Sequence, residues 1–274
     1  MAKYVDLHMH STYSDGKLSV EELFQRATEK KLSAIVLTDH DTYSGYEEAM
    51  YYANKTGIET LIGSEISTWH NGKDVHVLAY GFSQTSRMLN SQLSRITDDR
   101  VVRAQKMCEK LNRLGISIAW DDVEEEAGNG SIARPHIGRV LVKMGVVPDL
   151  QTAFDRFLSD NAPAYVSKYR IPTQRAIEMI KSAGGVSVVA HIGRYFSMKR
   201  LEQFKGWGLN GIEVFHPSHQ EELRFQLDTY ATDNGLIKTG GSDFHEVCAY
   251  TDMGAQNVPY SYFETLKQTL KDSA

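Results

Sequence analysis

Tyr4-Val5-Asp6-Leu7-His8-Met9-His10-Ser11-Thr12-Tyr13-Ser14-Asp15 is the stretch on which the reading of this chain turns. Its first four residues suit a short buried strand, and His8 and His10 follow where that strand ends, two residues apart. In extended backbone that spacing sends both imidazoles to one side. The chain then enters a turn carrying Ser14, Asp15 and Gly16. Neutral imidazole and carboxylate are donors that zinc, manganese and iron accept, so the stretch reads as the first half of a metal site.

Outward from there the pattern repeats. Ser19-Val20-Glu21-Glu22 has the form of a capping box before a helix running to about Lys30. The apolar run 34–37 is a buried strand that ends in Thr38-Asp39-His40-Asp41. A helix over about 46–55, stopped by Gly57, leads to a strand over 59–63 that closes on Ser64-Glu65. The next apolar run, 75–80, carries His76 inside it. Strands alternating with helices imply parallel βαβ units, and closing them into a barrel would bring all the strand ends to one face.

The rhythm breaks between about Ser86 and Ser167. One long helical pattern runs to Leu114 and stops at Gly115. A short acidic helix follows, capped by Asp121 or Asp122, and then helices from Arg134-Pro135 and from Asp149. No strong strand interrupts them, so 86–167 reads as a helical insertion covering the active site of a discontinuous barrel formed by 1–85 and 168–274. The barrel rhythm resumes with strands over 186–190, 211–215 and 236–239, ending respectively in His191, in His216-Pro217 and in Gly240-Gly241-Ser242-Asp243-Phe244-His245. Helices are expected over 172–183, 198–204, 219–234 and 260–271.

The strand ends therefore collect His8, His10, Asp15, His40, Glu65, His76, His191, His216, Asp243 and His245, seven of the chain's ten histidines among them. Singly, His76 or His191 reads equally as a hydrogen-bonded core histidine, and Asp15, Asp39 or Asp243 as a turn or cap. Their joint placement argues for chemistry. So many nitrogen and oxygen donors exceed one ion's needs and imply two or three divalent ions, with Glu65 free to bridge. Two adjacent ions can hold a hydroxide and polarise a phosphoryl or carbonyl oxygen. Arg134, at the start of a helix, is the favoured phosphate contact, with Lys168 and Arg194 near the strand-end segments. Arg139 and Arg170 read as solvated charges, His70, His136 and His219 as structural or surface residues, and 124–126 as a solvated acidic face.

Composition excludes several classes. A net charge of −5 argues against a nucleic-acid coat protein, DNA included. No apolar run reaches the roughly 18 residues of a membrane span, and no signal segment precedes the first strand, so a cytoplasmic protein is expected. Cys108 and Cys248, far apart, form no CxxC motif and read as packing residues.

With these residues assembled, the chain resembles the PHP (polymerase and histidinol phosphatase) family of metal-dependent phosphoesterases. The blocks that carry the likeness are His8-Met9-His10 with Asp15-Gly16, Thr38-Asp39-His40-Asp41, Gly63-Ser64-Glu65, His76, Ala190-His191 and Gly241-Ser242-Asp243-Phe244-His245. The resemblance implies a distorted (β/α)7 TIM-like barrel and a trinuclear site of manganese, zinc or iron. One ion would sit on His8, His10, Glu65 and Asp243, a second on Glu65, His76 and His191, a third on Asp15, His40 and His245. Segments 132–137, 164–169 and 211–219 are similar to stand-alone members described as nucleoside 3′,5′-bisphosphate phosphatases and 5′-to-3′ exoribonucleases, which implies phosphate-contacting roles for Arg134 and His216. The family usually places proline after the histidine at 191, where this chain has Ile192. The expected activity is hydrolysis of a nucleotide phosphate ester or of short 5′-phosphorylated RNA by a metal-bridging hydroxide. The alternatives are a histidinol-phosphate-type sugar phosphatase, an amide hydrolase and a catalytically silent metal-binding module. Oligomeric state is left open.

Overall fold

The computed structural model describes residues 2–128, 130–195, 197–247 and 252–272. Strand β1 (Tyr4–Met9) pairs in parallel with β2 (Ala34–Leu37), and α1 (Val20–Glu29) connects them. The reciprocal cap forms: Glu22 N donates to Ser19 Oγ, and Ser19 N donates to the Glu22 carboxylate at 2.8 Å. Val20, Leu23, Phe24 and Ala27 supply the buried stripe of α1. Helix α2 (Tyr46–Thr56) ends at Gly57, whose φ of 76° is the left-handed cap that glycine adopts without strain.

The next segment departs from expectation. In place of a strand over 59–63, β3 spans Gly63–His70 and folds back on β4 (Lys73–Tyr80) as an antiparallel hairpin. Asn71 and Gly72 make its two-residue turn with φ of 46° and 78°, the left-handed pair that matches strand twist. Glu65 is therefore inside a strand, not at its end. β4 also runs antiparallel to β6 (Val186–Val189), so its amino-terminal part lies beside the carboxyl ends of its neighbours. That reversal brings His76 beside Glu65 and His40, and Ala190 N donates to its carbonyl at 3.0 Å.

Two sheets result. One has the order β2-β1-β9, with β9 at Val258–Pro259; the other is β5-β3-β4-β6-β7-β8, with β5 (Ile171–Pro172), β7 (Gly211–Phe215) and β8 (Ile237–Gly240). A closed barrel ladder is not present among the described residues. The sheets are joined by single bridges, Met9 to Phe244, Ala34 to Glu59 and His40 to Glu65. Regular pairing is interrupted beside the ligand residues, where Asp41 and Asp243 take φ of 56° and 50° and leave extended geometry.

Between β4 and β5 lie α3 (Arg87–Arg113), α4 (Trp120–Ala127), α5 (Arg134–Lys143) and α6 (Leu150–Ala153), the last running into a π turn over 154–158. They share a core that includes Met107, Leu111, Val123, Ile137, Leu141 and Leu158. Helix α3, about 40 Å long at 1.5 Å per residue, also serves the sheet: Leu89, Leu93 and Ile96 pack with Ile66, Val77 and Met179. The cap of α4 is Ala119; Asp121 and Asp122 fall instead in its first turn, where carboxylates favour the positive end of the helix dipole. Helices α7 (Thr173–Ser182), α8 (Met198–Gly206), α9 (Glu221–Asp233) and α10 (Tyr260–Asp272) bury Ile180, Phe204, Leu227 and Phe263 in the remaining core clusters. No described helix is long and apolar enough to cross a membrane. Cys108 is buried, whereas Cys248 lies outside the described residues.

Candidate metal centre

His8 lies within β1, where the pairing with β2 shifts register between Asp6 and Met9, and His10 follows just beyond the strand. Both are fully buried. The geometry gathers three overlapping donor groups: His8, His10, Glu65 and Asp243; His10, Asp15, His40 and His245; and His40, Glu65 and His76. His191 stands beside the last, its Nε2 2.7 Å from Glu65 Oε1. His10 is thus shared between two groups, and His40 faces both Asp15 and Glu65, at 4.0 and 3.1 Å.

Not all of the close approaches in these groups are hydrogen bonds. His8 Nε2, His40 Nδ1, Asp15 Oδ1 and Glu65 Oε2 are buried without a hydrogen-bond partner among the described residues. Yet His8 Nε2 lies 3.4 Å from Glu65 Oε2 and 3.2 Å from Asp243 Oδ1, and His10 Nε2 lies 3.3 and 3.1 Å from the same oxygens. Two donors each about 2.1 Å from one tetrahedral ion would stand about 3.4 Å apart. His10 Nε2 and Asp243 Oδ1 do meet in a hydrogen bond, but the orphaned atoms His8 Nε2 and Glu65 Oε2 converge with them on common points, so the donor set fits divalent metal ions.

The electrostatics agree. Burial by itself would raise the carboxyls of Glu65, Asp15 and Asp243, but the surrounding imidazoles outweigh it and hold all three well below the usual range. Burial drives His40 down to about 3, leaving a neutral ring able to ligate. Burial also opposes a charge on His10, but its contacts with Asp243 and Glu65 dominate and bring it to about 10, so there a metal ion and a proton compete for one lone pair.

Several supporting residues were not singled out from the sequence. Glu213, fully buried on β7, places Oε1 2.8 Å from His8 Nδ1 and accepts from His191 N at 2.6 Å through Oε2. A carboxylate in the middle of an apolar strand was the available signal. Asp39 does more than cap a turn: it accepts from Ser11 N, Ser11 Oγ and Ser14 Oγ at 2.6–2.8 Å, clamping two ligand loops together. Close backbone approach demands glycine at two points. A Cβ on Gly16 would lie 2.3 Å from the His10 carbonyl oxygen, and one on Gly241 would lie 2.4 Å from His8 N.

A cleft of about 280 Å³ opens from this centre, lined by Asp15, His40 and His76 together with Arg100, Arg103, Arg134 and Lys168. Arg134 donates through Nη1 to the Leu158 carbonyl at 3.1 Å and to Asp160 Oδ1 at 3.2 Å. Lys168 Nζ is 3.3 Å from Asp74 Oδ1, and burial pulls its pKa below the normal lysine range. His216 is buried on the metal side, Nε2 3.3 Å from Asp243 Oδ2 and Nδ1 2.8 Å from Ser218 Oγ. The side chain of Arg194 lies outside the described residues.

Two arginines expected in solvent are engaged instead. Arg139 donates to the Asp15 carbonyl at 2.7 Å because α5 packs over that loop, and Arg170 stacks 3.6 Å above the Trp69 ring. His70, His136 and His219 are buried. His219 Nε2 accepts from Gly193 N at 3.2 Å, bracing the 3₁₀ turn over 192–195. Ile192, in place of the family's proline, is buried in the cluster that holds Leu201 and Phe204.

The PHP domain family model matches residues 6–133. The chain is 36% identical over 259 residues to a 5′-3′ exoribonuclease of Haemophilus influenzae, covering 93% of this chain and 94% of that protein. The chain belongs to the PHP domain family. This PHP-domain chain is also 35% identical over 247 residues to a 3′,5′-nucleoside bisphosphate phosphatase of Chromobacterium violaceum, covering 88% of this chain and 87% of the relative. Among solved structures, an inferred metal-dependent phosphoesterase of Bifidobacterium adolescentis aligns with a TM-score of 0.91 at 30% identity, covering 98% of this chain and 97% of the other. An amidohydrolase of Chromobacterium violaceum, solved with bound sulfate and no metal, aligns at 0.84 and 31% identity, covering 97% and 96%.

Proposed function

We propose that this PHP-domain phosphoesterase hydrolyses nucleotide phosphate esters, converting a nucleoside 3′,5′-bisphosphate to the 5′-nucleotide and phosphate or acting on short 5′-phosphorylated RNA. It is a phosphoric ester hydrolase. The observation that carries the substrate reading is the composition of one cleft, which is lined both by Asp15, His40 and His76 of the donor cluster and by the cations Arg100, Arg103, Arg134 and Lys168. The fold that serves it is a distorted (β/α)7 barrel, its two sheets bridged at the ligand residues and its opening roofed by the helices of 86–167.

Two or three ions of manganese, zinc or iron would be held by His8, His10, Asp15, His40, Glu65, His76, His191, Asp243 and His245. When bound, such ions supply a nucleophilic oxygen at neutral pH and neutralise phosphoryl charge. The chain's own groups do the rest. Glu213 fixes the His8 ring so that Nε2 points inward. Arg134, one of the cleft-lining residues, would take a non-bridging phosphate oxygen, with Lys168 and Arg194 as further anion contacts. His216, next to Asp243, can hold a proton near the leaving oxygen. A nucleotide substrate suits a cytoplasmic site of action.

The test is incubation of manganese-reconstituted protein with adenosine 3′,5′-bisphosphate, 5′-AMP and a 5′-phosphorylated RNA oligonucleotide, with products resolved chromatographically and metal measured on the same sample. Phosphate and undegraded 5′-AMP from the bisphosphate, or stepwise mononucleotides from the RNA, is the expected result. All three surviving intact on metal-loaded protein would end the nucleotide reading.

A further inference from the structure

Arg103 is the one cleft cation that lacks a carboxylate within 4 Å among the described residues. Arg100 is paired with Asp41, Lys168 with Asp74, and Arg134 with Asp160. Arg103 is only 8% exposed. Its Nε donates to the Val166 carbonyl at 2.7 Å, which pins the side chain, while no described hydrogen-bond partner engages its Nη groups. Burial first, and then repulsion from Arg134 and Arg100, pull it down to about 10. A buried guanidinium without a counter-ion is costly, and the cost is relieved when an anion enters. Its planar fork matches two phosphate oxygens at once. The same cleft contains Asp15, His40 and His76, so an anion on Arg103 and a phosphate at the metal ions can belong to one molecule.

We propose that Arg103 is the receptor for the substrate's second anionic group, the phosphate that the metal centre does not attack, and so makes the enzyme demand two phosphates. The assignment rests on the nucleotide reading above and adds the residue that reads the second charge. Arg100 and Lys168, partly neutralised by their aspartates, supply the surrounding positive field without competing for the bidentate position. No covalent step is involved, because Arg103 binds and orients while hydrolysis occurs at the other phosphate.

Manganese-loaded wild type and Arg103→Gln are compared on adenosine 3′,5′-bisphosphate and on adenosine 3′-phosphate, which keeps the scissile group and lacks the second anion. Wild type should prefer the bisphosphate, and R103Q should lower kcat/KM on it about 10- to 100-fold, mainly through KM, with little change on the monophosphate. Arg103→Lys keeps the charge without the fork and should fall between the two. If Arg103 only braced Val166, R103Q would depress both substrates alike, and the proposal would fail while the phosphoesterase reading stood. Wild type that shows no preference between the substrates overturns it equally. Should wild type hydrolyse neither, the bisphosphatase branch of the nucleotide reading fails; equilibrium binding of 5′-AMP against adenosine then decides the receptor, which stands only if R103Q weakens 5′-AMP at least about tenfold and spares adenosine. Thermal unfolding of each variant, with R103K as the charge-retaining control, separates loss of binding from loss of fold.

Discussion

The donor lining and the cation lining of the cleft, its metal wall and its cation wall, are built on opposite principles. The metal wall comes from strand ends and a hairpin, has His8, His10, Asp15 and Glu65 buried, and draws most of its donors from short local motifs such as His8-Met9-His10 or Asp243-Phe244-His245. The cation wall comes from helices and a connecting segment, and its members, Arg100, Arg103, Arg134 and Lys168, share no motif. The difference teaches that a sheet scaffold can encode a site in local spacing, whereas a helical layer assembles one only through packing.

The largest effect should break the metal wall. Glu65 lies in two of the three donor groups, so Glu65→Gln should remove several kcal/mol of transition-state stabilisation, about 10³-fold in kcat, with metal lost on the same sample. Wild-type turnover by metal-verified E65Q would sink the assignment. Glu213 touches the centre only through His8 and the His191 amide. Glu213→Gln should therefore weaken metal affinity about 10- to 100-fold, which titration against a chelating indicator would read; unchanged affinity would reduce Glu213 to a packing residue.

On the cation wall the losses should appear in binding rather than metal content. Arg134→Ala should lower kcat/KM about tenfold and leave the metal stoichiometry intact. A drop in bound metal would mean that the walls are not separable. The smallest effect concerns the folding of α5, which carries Arg134. Burial lowers His136 to about 4 from 6.5, and its Nδ1 accepts from Ala133 N at 3.0 Å. The folded state binds the proton more weakly than the unfolded chain, so this contribution to stability is present above about pH 6.5 and is lost as pH falls toward 4. Wild type should lose about 1 kcal/mol from this group between pH 7 and 5.5. Asn keeps an acceptor for Ala133 N and cannot titrate, so His136→Asn should flatten that slope by the same amount in denaturant melts. Parallel slopes would remove His136 as the cause.

Legibility followed the range of the forces involved. The capping box at Ser19 and Glu22, the Gly57 stop and the strand at 34–37 could be read because each is decided within a few residues. The β3–β4 hairpin is announced by Asn71-Gly72, yet the apolar residues before Gly63 suggest a strand over 59–63, because local hydrophobicity does not say which side of Gly63 the ladder occupies. Glu213 was passed over because a lone carboxylate in a strand acquires meaning only once His8 is beside it, 205 residues away in sequence. Arg139 looked like a surface charge because nothing in α5 tells which face meets the Asp15 loop.

By itself the sequence determined the chemistry of the centre: imidazoles and carboxylates at fixed local spacing, each carried to the end or interior of a strand by backbone geometry with a two-residue side-chain period. Only the tertiary structure decided that those donors gather into three overlapping groups, that β4 reverses to present His76, and that four cations line the same cleft. The reason is physical: side-chain direction along a strand is set by neighbouring residues, whereas convergence, burial and the absence of a counter-ion at Arg103 are properties of how separate elements pack.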